Sequence, residues 1–385
     1  MLQVLGDYGG PTQTMPPLPA SVAVEGGILL PSTPTADQRG EVRPSGLFPD
    51  IGAVEIFTAV VPEVVTNADS GPGSLRQTIT LASTLQINKN LTIDASGLSG
   101  GLVVSGNDAL RVLQLSADKT LELRGFTISG GSTGANGGGV NVDGGVLHLI
   151  GMTFTGNHAG ASGGAISNAR GTVTIIDSTL DGNSAGSNGG AIFSGENGGN
   201  PIEILTITNS TLTGNTAATG GAVYNFSGTL TLVHTTISAN EATSSGGGIR
   251  NSRIASIENS IVAANIDPGS GPDISNSSTI VSTGANLIGN NQSVTSQFPA
   301  GPLTGTSVNP LDPLLAPLGD NGGPTNTMFP LSGSPAVNAA LVTGNSPAND
   351  QRGVSRPFGP ASDLGAIEVD VTYLANDSFS SATQI

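Results

Sequence analysis

The 385-residue sequence contains no cysteine and no tryptophan, only two lysines (Lys89 and Lys119), and aromatic side chains at 3% of positions. Without cysteine there is neither a disulfide frame nor a thiolate-ligated metal, although this does not fix the compartment. The 12 cations face 28 acids, a net charge of −16. Nucleic-acid binding needs clustered cations and is excluded as a function class. Acidity of this size favours solubility and repels anionic partners. No apolar run approaches the ~18 residues of a membrane-spanning helix. The opening Met1-Leu-Gln-Val-Leu-Gly-Asp7 lacks a signal-peptide pattern, so secretion would need an address that is upstream or removed. A globular core of this length usually carries more rings. A thin core of aliphatic ladders does not need them.

What the chain does have is a repeat. Gly137-Gly-Gly-Val140, Gly163-Gly-Ala-Ile166, Gly189-Gly-Ala-Ile192, Gly220-Gly-Ala-Val223 and Gly246-Gly-Gly-Ile249 recur at steps of 26, 26, 31 and 26 residues. A second marker keeps the same beat: Phe154-Thr-Gly-Asn157, Leu180-Asp-Gly-Asn183, Leu212-Thr-Gly-Asn215, Ile237-Ser-Ala-Asn240 and Val262-Ala-Ala-Asn265. A fixed period of this size means a repeat architecture. Runs such as Val173-Thr-Ile175, Leu205-Thr-Ile207 and Leu230-Thr-Leu232 alternate like strands of three to five residues. Gly, Asn and Ser punctuate them. No unit has room for a long helix, and the spacing of leucine-rich repeats is absent. The expected fold is all-β: a right-handed parallel β-helix, two or three strands per turn, with irregular Gly/Pro-rich terminal modules.

Within each turn, Phe154, Leu180, Leu212, Ile237 and Val262 should stack as an internal apolar file. The marker Asn has two structural readings. Its amide can form a ladder with the Asn of the next turn, or the residue can simply tolerate a left-handed corner. The longer step is read as a loop at Glu196-Asn-Gly-Gly-Asn200 bulging from one turn.

The first 55 residues recur near the other end at a constant offset of 313, without a gap. Leu5-Gly-Asp-Tyr-Gly-Gly-Pro-Thr12 matches Leu318-Gly-Asp-Asn-Gly-Gly-Pro-Thr325, Asp37-Gln-Arg-Gly40 matches Asp350-Gln-Arg-Gly353, and Asp50-Ile-Gly-Ala-Val-Glu55 matches Asp363-Leu-Gly-Ala-Ile-Glu368. The expected organisation is a tail module of a preceding repeat at 1–57 and a β-helix at 64–289. An irregular tail module follows at 290–369, then the start of a further domain at 370–385. Ser74-Leu-Arg-Gln77 has capping-box character, so a short helix is expected to cover the first turn. Asn286-Leu-Ile-Gly289 reads as one last turn.

These residues resemble a known family. Ser70-Gly-Pro-Gly-Ser-Leu-Arg76, the two repeat markers, Asn286-Leu-Ile-Gly289, and the stretch from Gly322-Gly-Pro-Thr325 through Asp350-Gln-Arg-Gly353 to Asp363-Leu-Gly-Ala-Ile-Glu368 are similar to bacterial extracellular right-handed β-helix proteins. The likeness is to the pectin-lyase-like superfamily, in its choice-of-anchor Q domain group, over residues 64–369 and the copy at 5–55. The resemblance implies a secreted or surface-anchored protein. A surface polysaccharide or another cell-surface component is the expected partner, met by the long faces of a solenoid. One departure is that Ser74 to Ser83 runs almost directly into Leu85 to Ile93, as if a segment between them had been deleted.

Many pectin-lyase-like proteins are lyases or hydrolases, which need a uronate-neutralising cluster or paired carboxylates. Asp177 and Asp181 come nearest to a pair, and the sequence reads them as surface carboxylates on strand ends. His148, His158 and His234 stand alone and read as solvated. Arg250 and Arg253 flank a strand near Glu258 and read as surface charges. Asp37, Arg39, Asp50 and Glu55, with their copies Asp350, Arg352, Asp363 and Glu368, read as a charge clamp, Arg352 pairing with Asp363 or Glu368. Asp267 and Asp273 offer too few ligands for calcium. No catalytic, metal or cofactor residue is assigned. The expected function is a non-catalytic stalk, adhesin or glycan-contacting module, the alternative being a polysaccharide lyase or glycoside hydrolase.

Overall fold

The computed structural model describes residues 79–370 apart from 81–82, 99, 197–202 and 270. Within 1–54 it describes residues 2, 4–7, 11–16, 23, 34–40 and 50–54. The chain divides into two units, Met1–Ala68 with Pro72–Ser74, and Leu75–Ile385 with Asp69–Gly71. The expected capping helix at 74–77, the loop at 197–200 and the segment 371–385 lie outside the described residues.

The larger unit is a parallel β-helix. Its described strands are two to five residues long, and each turn visits up to four sheets in order. Sheet I has eight strands, from Leu91–Asp94 to Thr279–Thr283. Sheet II has nine, from Ile79–Thr80 to Leu287–Ile288. Sheet III is a short five-stranded ribbon, from Ser132–Thr133 to Glu241–Ser245. Sheet IV has eight strands, from Leu85–Ile87 to Ile274–Asn276. The expectation of two or three strands per turn falls short in the middle turns, where the ribbon after the marker Asn adds a fourth. Ile79–Thr80 pairs with Val104–Ser105 as the first strand of sheet II.

In-register pairing in sheets I, II and IV stacks like on like; sheet III shifts register once, between Ala217 and Thr219. Phe154 lies against Leu180, Leu180 against Leu212, Leu212 against Ile237, and Ile237 against Val262. All five side chains are fully buried. They belong to one continuous core that also holds the alternate residues of sheets I and IV. No single turn could bury these side chains. Each rung shields the next, which is the physics of a solenoid.

The Gly-Gly marker has two separate causes. Its first glycine adopts a left-handed φ of 61° to 70° in all five copies. Its second sits under the next rung: a Cβ on Gly190 would lie 2.1 Å from the Gly221 carbonyl oxygen, and one on Gly164 2.2 Å from that of Gly190. Only a hydrogen fits in that space.

The marker Asn resolves in favour of the ladder. Each Nδ2 donates to the Oδ1 of the next rung, from Asn157 to Asn183 (2.9 Å), Asn215 (3.0 Å), Asn240 (2.9 Å) and Asn265 (2.9 Å). The left-handed corner belongs to the residue before it: Gly156, Gly182, Gly214, Ala239 and Ala264 all have positive φ. The last rung changes chemistry. Asn265 donates from N (3.0 Å) and Nδ2 (2.9 Å) to Asp273 Oδ1. Asp273 Oδ2 accepts from Asn290 N at 2.6 Å. A ladder end only has to accept, so a carboxylate fits there. Burial raises the Asp273 pKa to about 6. Asp267 accepts from the backbone N–H groups of Gly246 and Gly269. The two acids are thus engaged by backbone and ladder donors.

Candidate functional site

Two features of the outer surface carry chemistry. The first is the corner between sheets I and II. Gly151, Asp177, Asn209, His234 and Asn259 occupy the same place in successive turns, with φ of 60°, 51°, 47°, 46° and 46°. Residues 313–369 fold along this corner as an irregular strap. Gln351 is its anchor. Its Nε2 donates to the Ser178 carbonyl (3.2 Å), Thr179 Oγ1 (2.9 Å) and Thr325 Oγ1 (2.8 Å), and its Oε1 accepts from Thr211 Oγ1 (2.7 Å). Asn209 donates to the Asn349 carbonyl (2.6 Å), Asn259 to the Leu341 carbonyl (2.8 Å), and Thr325 to the Asp177 carbonyl (3.1 Å).

This strap changes the reading of several residues. His234 is fully buried rather than solvated. Burial and, second, the Arg356 guanidinium push its pKa down to about 3, so it is neutral. His148 is half-buried and His158 exposed, with Nδ1 of the latter 2.9 Å from Ser184 Oγ. Asp177 is half-buried beneath the strap, not a plain surface carboxylate; desolvation raises its pKa to about 6 against the Asn209 hydrogen bond. With Arg124, Ser96, Gly323 and Pro324 it lines a cavity of about 490 Å³. Asp181 is not part of that lining. It accepts from Thr155 Oγ1 at 2.9 Å, and burial raises its pKa. The two carboxylates therefore do not share the cavity. Arg124 there is paired with Glu122 at 2.7 Å.

The strap's own charges form a clamp, with one correction of partner. Arg352 pairs with Asp350 (2.7 Å), not with Asp363 or Glu368, and lies over the Phe329 ring at 5.6 Å. Glu368 pairs with Arg356 at 3.0 Å. The carboxylates also tie down backbone. Asp350 accepts from the N–H of Arg352, Val354 and Glu368, and Asp363 from those of Asn338 and Val369. Glu258 faces the strap too, accepting from Thr343 and from Asn345 (3.0 Å). It does not meet Arg250, which lies on sheet IV.

The second feature is the outer face of sheet IV. Its central file reads Gln114, Asn141, Ser167, Phe193, Tyr224, Arg250, Ser275, each in register with the next. In a chain with 10 Phe, 3 Tyr and no Trp, three half-exposed rings meet here. The centroid of Phe193 lies 5.8 Å from that of Tyr224 and 6.2 Å from that of Phe226, and Tyr224 and Phe226 are 5.7 Å apart. Arg250 donates to Ser275 Oγ (2.8 Å) and Ser277 Oγ (3.2 Å). Asn141 donates to Gln114 Oε1 at 3.0 Å. No carboxylate stands in this file.

Residues 151–169 and 177–195 each match the sequence model of the Chlamydia polymorphic membrane protein repeat. Each match holds one apolar-x-Gly-Asn marker and one Gly-Gly-Ala-Ile marker, and so spans the strands of one turn that belong to sheets II, III and IV. No curated protein and no solved structure matches the chain. The chain is a β-helix repeat protein whose turns are similar to that repeat over these two stretches.

The sequence carried a signal for the aromatic face that periodicity alone did not bring out. The residue after each Gly-Gly tetrapeptide points outward, and in order these are Asn141, Ser167, Phe193, Tyr224 and Arg250. Two successive rings at one register position are visible once the turns are aligned. The strap contacts had no such signal.

Proposed function

We infer that this chain is a non-catalytic, cell-surface β-helix module that holds a neutral polysaccharide against the outer face of sheet IV. The observation carrying the reading is the gathering of Phe193, Tyr224 and Phe226 beside Arg250 in an aromatic-poor chain. Aromatic rings offer apolar faces to the C–H surface of a pyranose while keeping little conformational entropy to lose. Asn141 and Arg250, both partly exposed, supply donors and acceptors for hydroxyls along the same file. Rungs spaced at about 4.8 Å present these groups at regular intervals. The net charge of −16 disfavours a polyanion. Surface location is supported by the similarity to a membrane protein repeat and by the resemblance to extracellular β-helix proteins.

A polysaccharide lyase or hydrolase is the second reading, favoured by Asp177 and Arg124 lining one cavity. Gel electrophoresis of the full chain through soluble mannan, dextran and β-glucan, with polygalacturonate as the polyanion, separates the readings. Retardation by a neutral polymer that is lost in Phe193→Ala/Tyr224→Ala supports the binding face. Unchanged retardation in that variant, or none in any neutral gel, overturns it. Release of new chain ends from any of these polymers, abolished by Asp177→Asn, would establish the enzyme. Antibody labelling of intact cells tests location, and labelling only after permeabilisation would refute it.

A further inference from the structure

The described residues of the two copies of the terminal module share their internal contacts. Gly6 pairs with Thr14 as Gly319 pairs with Thr327. Gln38 N donates to the Ala53 carbonyl at 2.8 Å, and Gln351 N to that of Ala366 at 2.9 Å. Arg39 pairs with Asp37 at 2.8 Å, and Arg352 with Asp350 at 2.7 Å. Even the anchor amide repeats: Gln38 Nε2 donates to Thr12 Oγ1 at 2.7 Å, and Gln351 Nε2 to Thr325 Oγ1 at 2.8 Å. Asp37, Asp50 and Val54 are buried, as are Asp350, Asp363 and Ile367.

Among the described residues, the copies differ at a face that the coil covers in one of them. In the C-terminal copy Thr325, Gln351, Leu364 and Ala366 are buried against the coil. Ala366 N donates to Thr236 Oγ1 at 3.0 Å, and Leu364 joins Ile261 and Leu287 in a second apolar cluster. Their counterparts Thr12, Gln38, Ile51 and Ala53 are exposed; Ile51 is 57% accessible where Leu364 is 0%.

We propose that this face of the N-terminal module is a docking surface for the Ser/Thr/Asn corner of another β-helix coil, supplied by a tandem module. The occupant is defined by what the identical face covers elsewhere in the molecule: paired hydroxyls to satisfy the Gln amide, and an aliphatic residue to bury Ile51. The coil of a second copy of this chain does not offer that corner, because its own strap lies along it.

The test is a tandem chain in which residues 64–317 are duplicated ahead of Leu5, so that Leu5 follows residue 317 as Leu318 does. Hydrogen exchange is read at 37–40 and 50–54. In the tandem chain these amides should slow by at least tenfold, towards the rates of 350–353 and 363–367. Gln38→Ala should return them to single-chain rates without changing the C-terminal copy. Equal exchange in single and tandem chains overturns the proposal, provided that slow exchange at Asn183 and Asn215 shows both coils folded. Protection of 50–54 in the single chain that rises with concentration would assign the face to a second copy instead, and would also overturn it.

Discussion

Replacing Asn215 by alanine removes a mid-ladder amide whose every polar atom is used. Asn215 Oδ1 accepts from Asn183 N and Nδ2, both at 3.0 Å, while Nδ2 donates to the Leu180 carbonyl (2.9 Å), the Thr213 carbonyl (3.0 Å) and Asn240 Oδ1 (2.9 Å). Alanine leaves the buried Asn183 N–H without its acceptor and takes one donor each from Leu180, Thr213 and Asn240. An orphaned buried donor costs about 1–3 kcal/mol, and under-donated acceptors less, so the loss should be about 2–4 kcal/mol. The urea midpoint should fall with little change in slope. Because rungs interact mainly with their neighbours, hydrogen exchange should accelerate first at 183 and 240. Asn215→Asp should be worse at pH 7, because a carboxylate there would face three acceptors. A shift below about 0.5 kcal/mol for Asn215→Ala would mean that the ladder does not carry the stability assigned to it.

Three further outcomes follow from the geometry. Gly190→Ala should abolish soluble expression or cost more than about 2 kcal/mol, since its Cβ would lie 2.1 Å from the Gly221 oxygen. Glu368→Ala should destabilise by about 3–5 kcal/mol in a urea melt, because it strands the buried Arg356 guanidinium. The pH dependence has two opposite arms. His234, held near 3 against an ordinary 6.5, binds its proton more readily unfolded. Its contribution is complete above about 6.5 and is lost as pH falls towards 3. His234→Asn should flatten that acid limb. Asp177, raised from 3.8 to about 6, binds its proton more readily folded, so its contribution is lost as pH rises through 6. Asp177→Asn, matching Asn209 and Asn259 in the same column, should therefore stabilise by up to about 1 kcal/mol at pH 7, after allowance for its partial exposure, and not at pH 3.5. Stability curves of the two variants between pH 3 and 8 check both signs.

The coil was legible because its determinants are local and periodic. The Gly-Gly pair, the apolar file and the marker Asn each answer to a constraint that recurs every turn, so their spacing shows directly in the chain. The fourth strand of each middle turn was harder to see. Its two-residue segments, such as His158–Ala159 and Ser184–Ala185, carry no alternation. The strap was legible as an irregular tail module, but its contact with the coil was not. Thr211 meets Gln351 across 140 residues, and a contact between a hydroxyl column and an irregular tail leaves no period behind. For the same reason the sequence reads His234 as solvated and pairs Arg352 with the wrong acid. The duplicated Asp-Gln-Arg-Gly was visible as a repeat. That its Gln is a coil anchor emerged only from the geometry.

Successive turns lie one above another in a fixed register. The natural chain has no cysteine, so introduced thiols report without background. Thr174 is paired with Thr206, and Thr206 with Thr231. Adjacent rungs are about 4.8 Å apart and alternate rungs about twice that. A short thiol crosslinker should join Thr174→Cys/Thr206→Cys rapidly and leave Thr174→Cys/Thr231→Cys open. Equal crosslinking of both pairs, or of neither, would contradict the stacked coil.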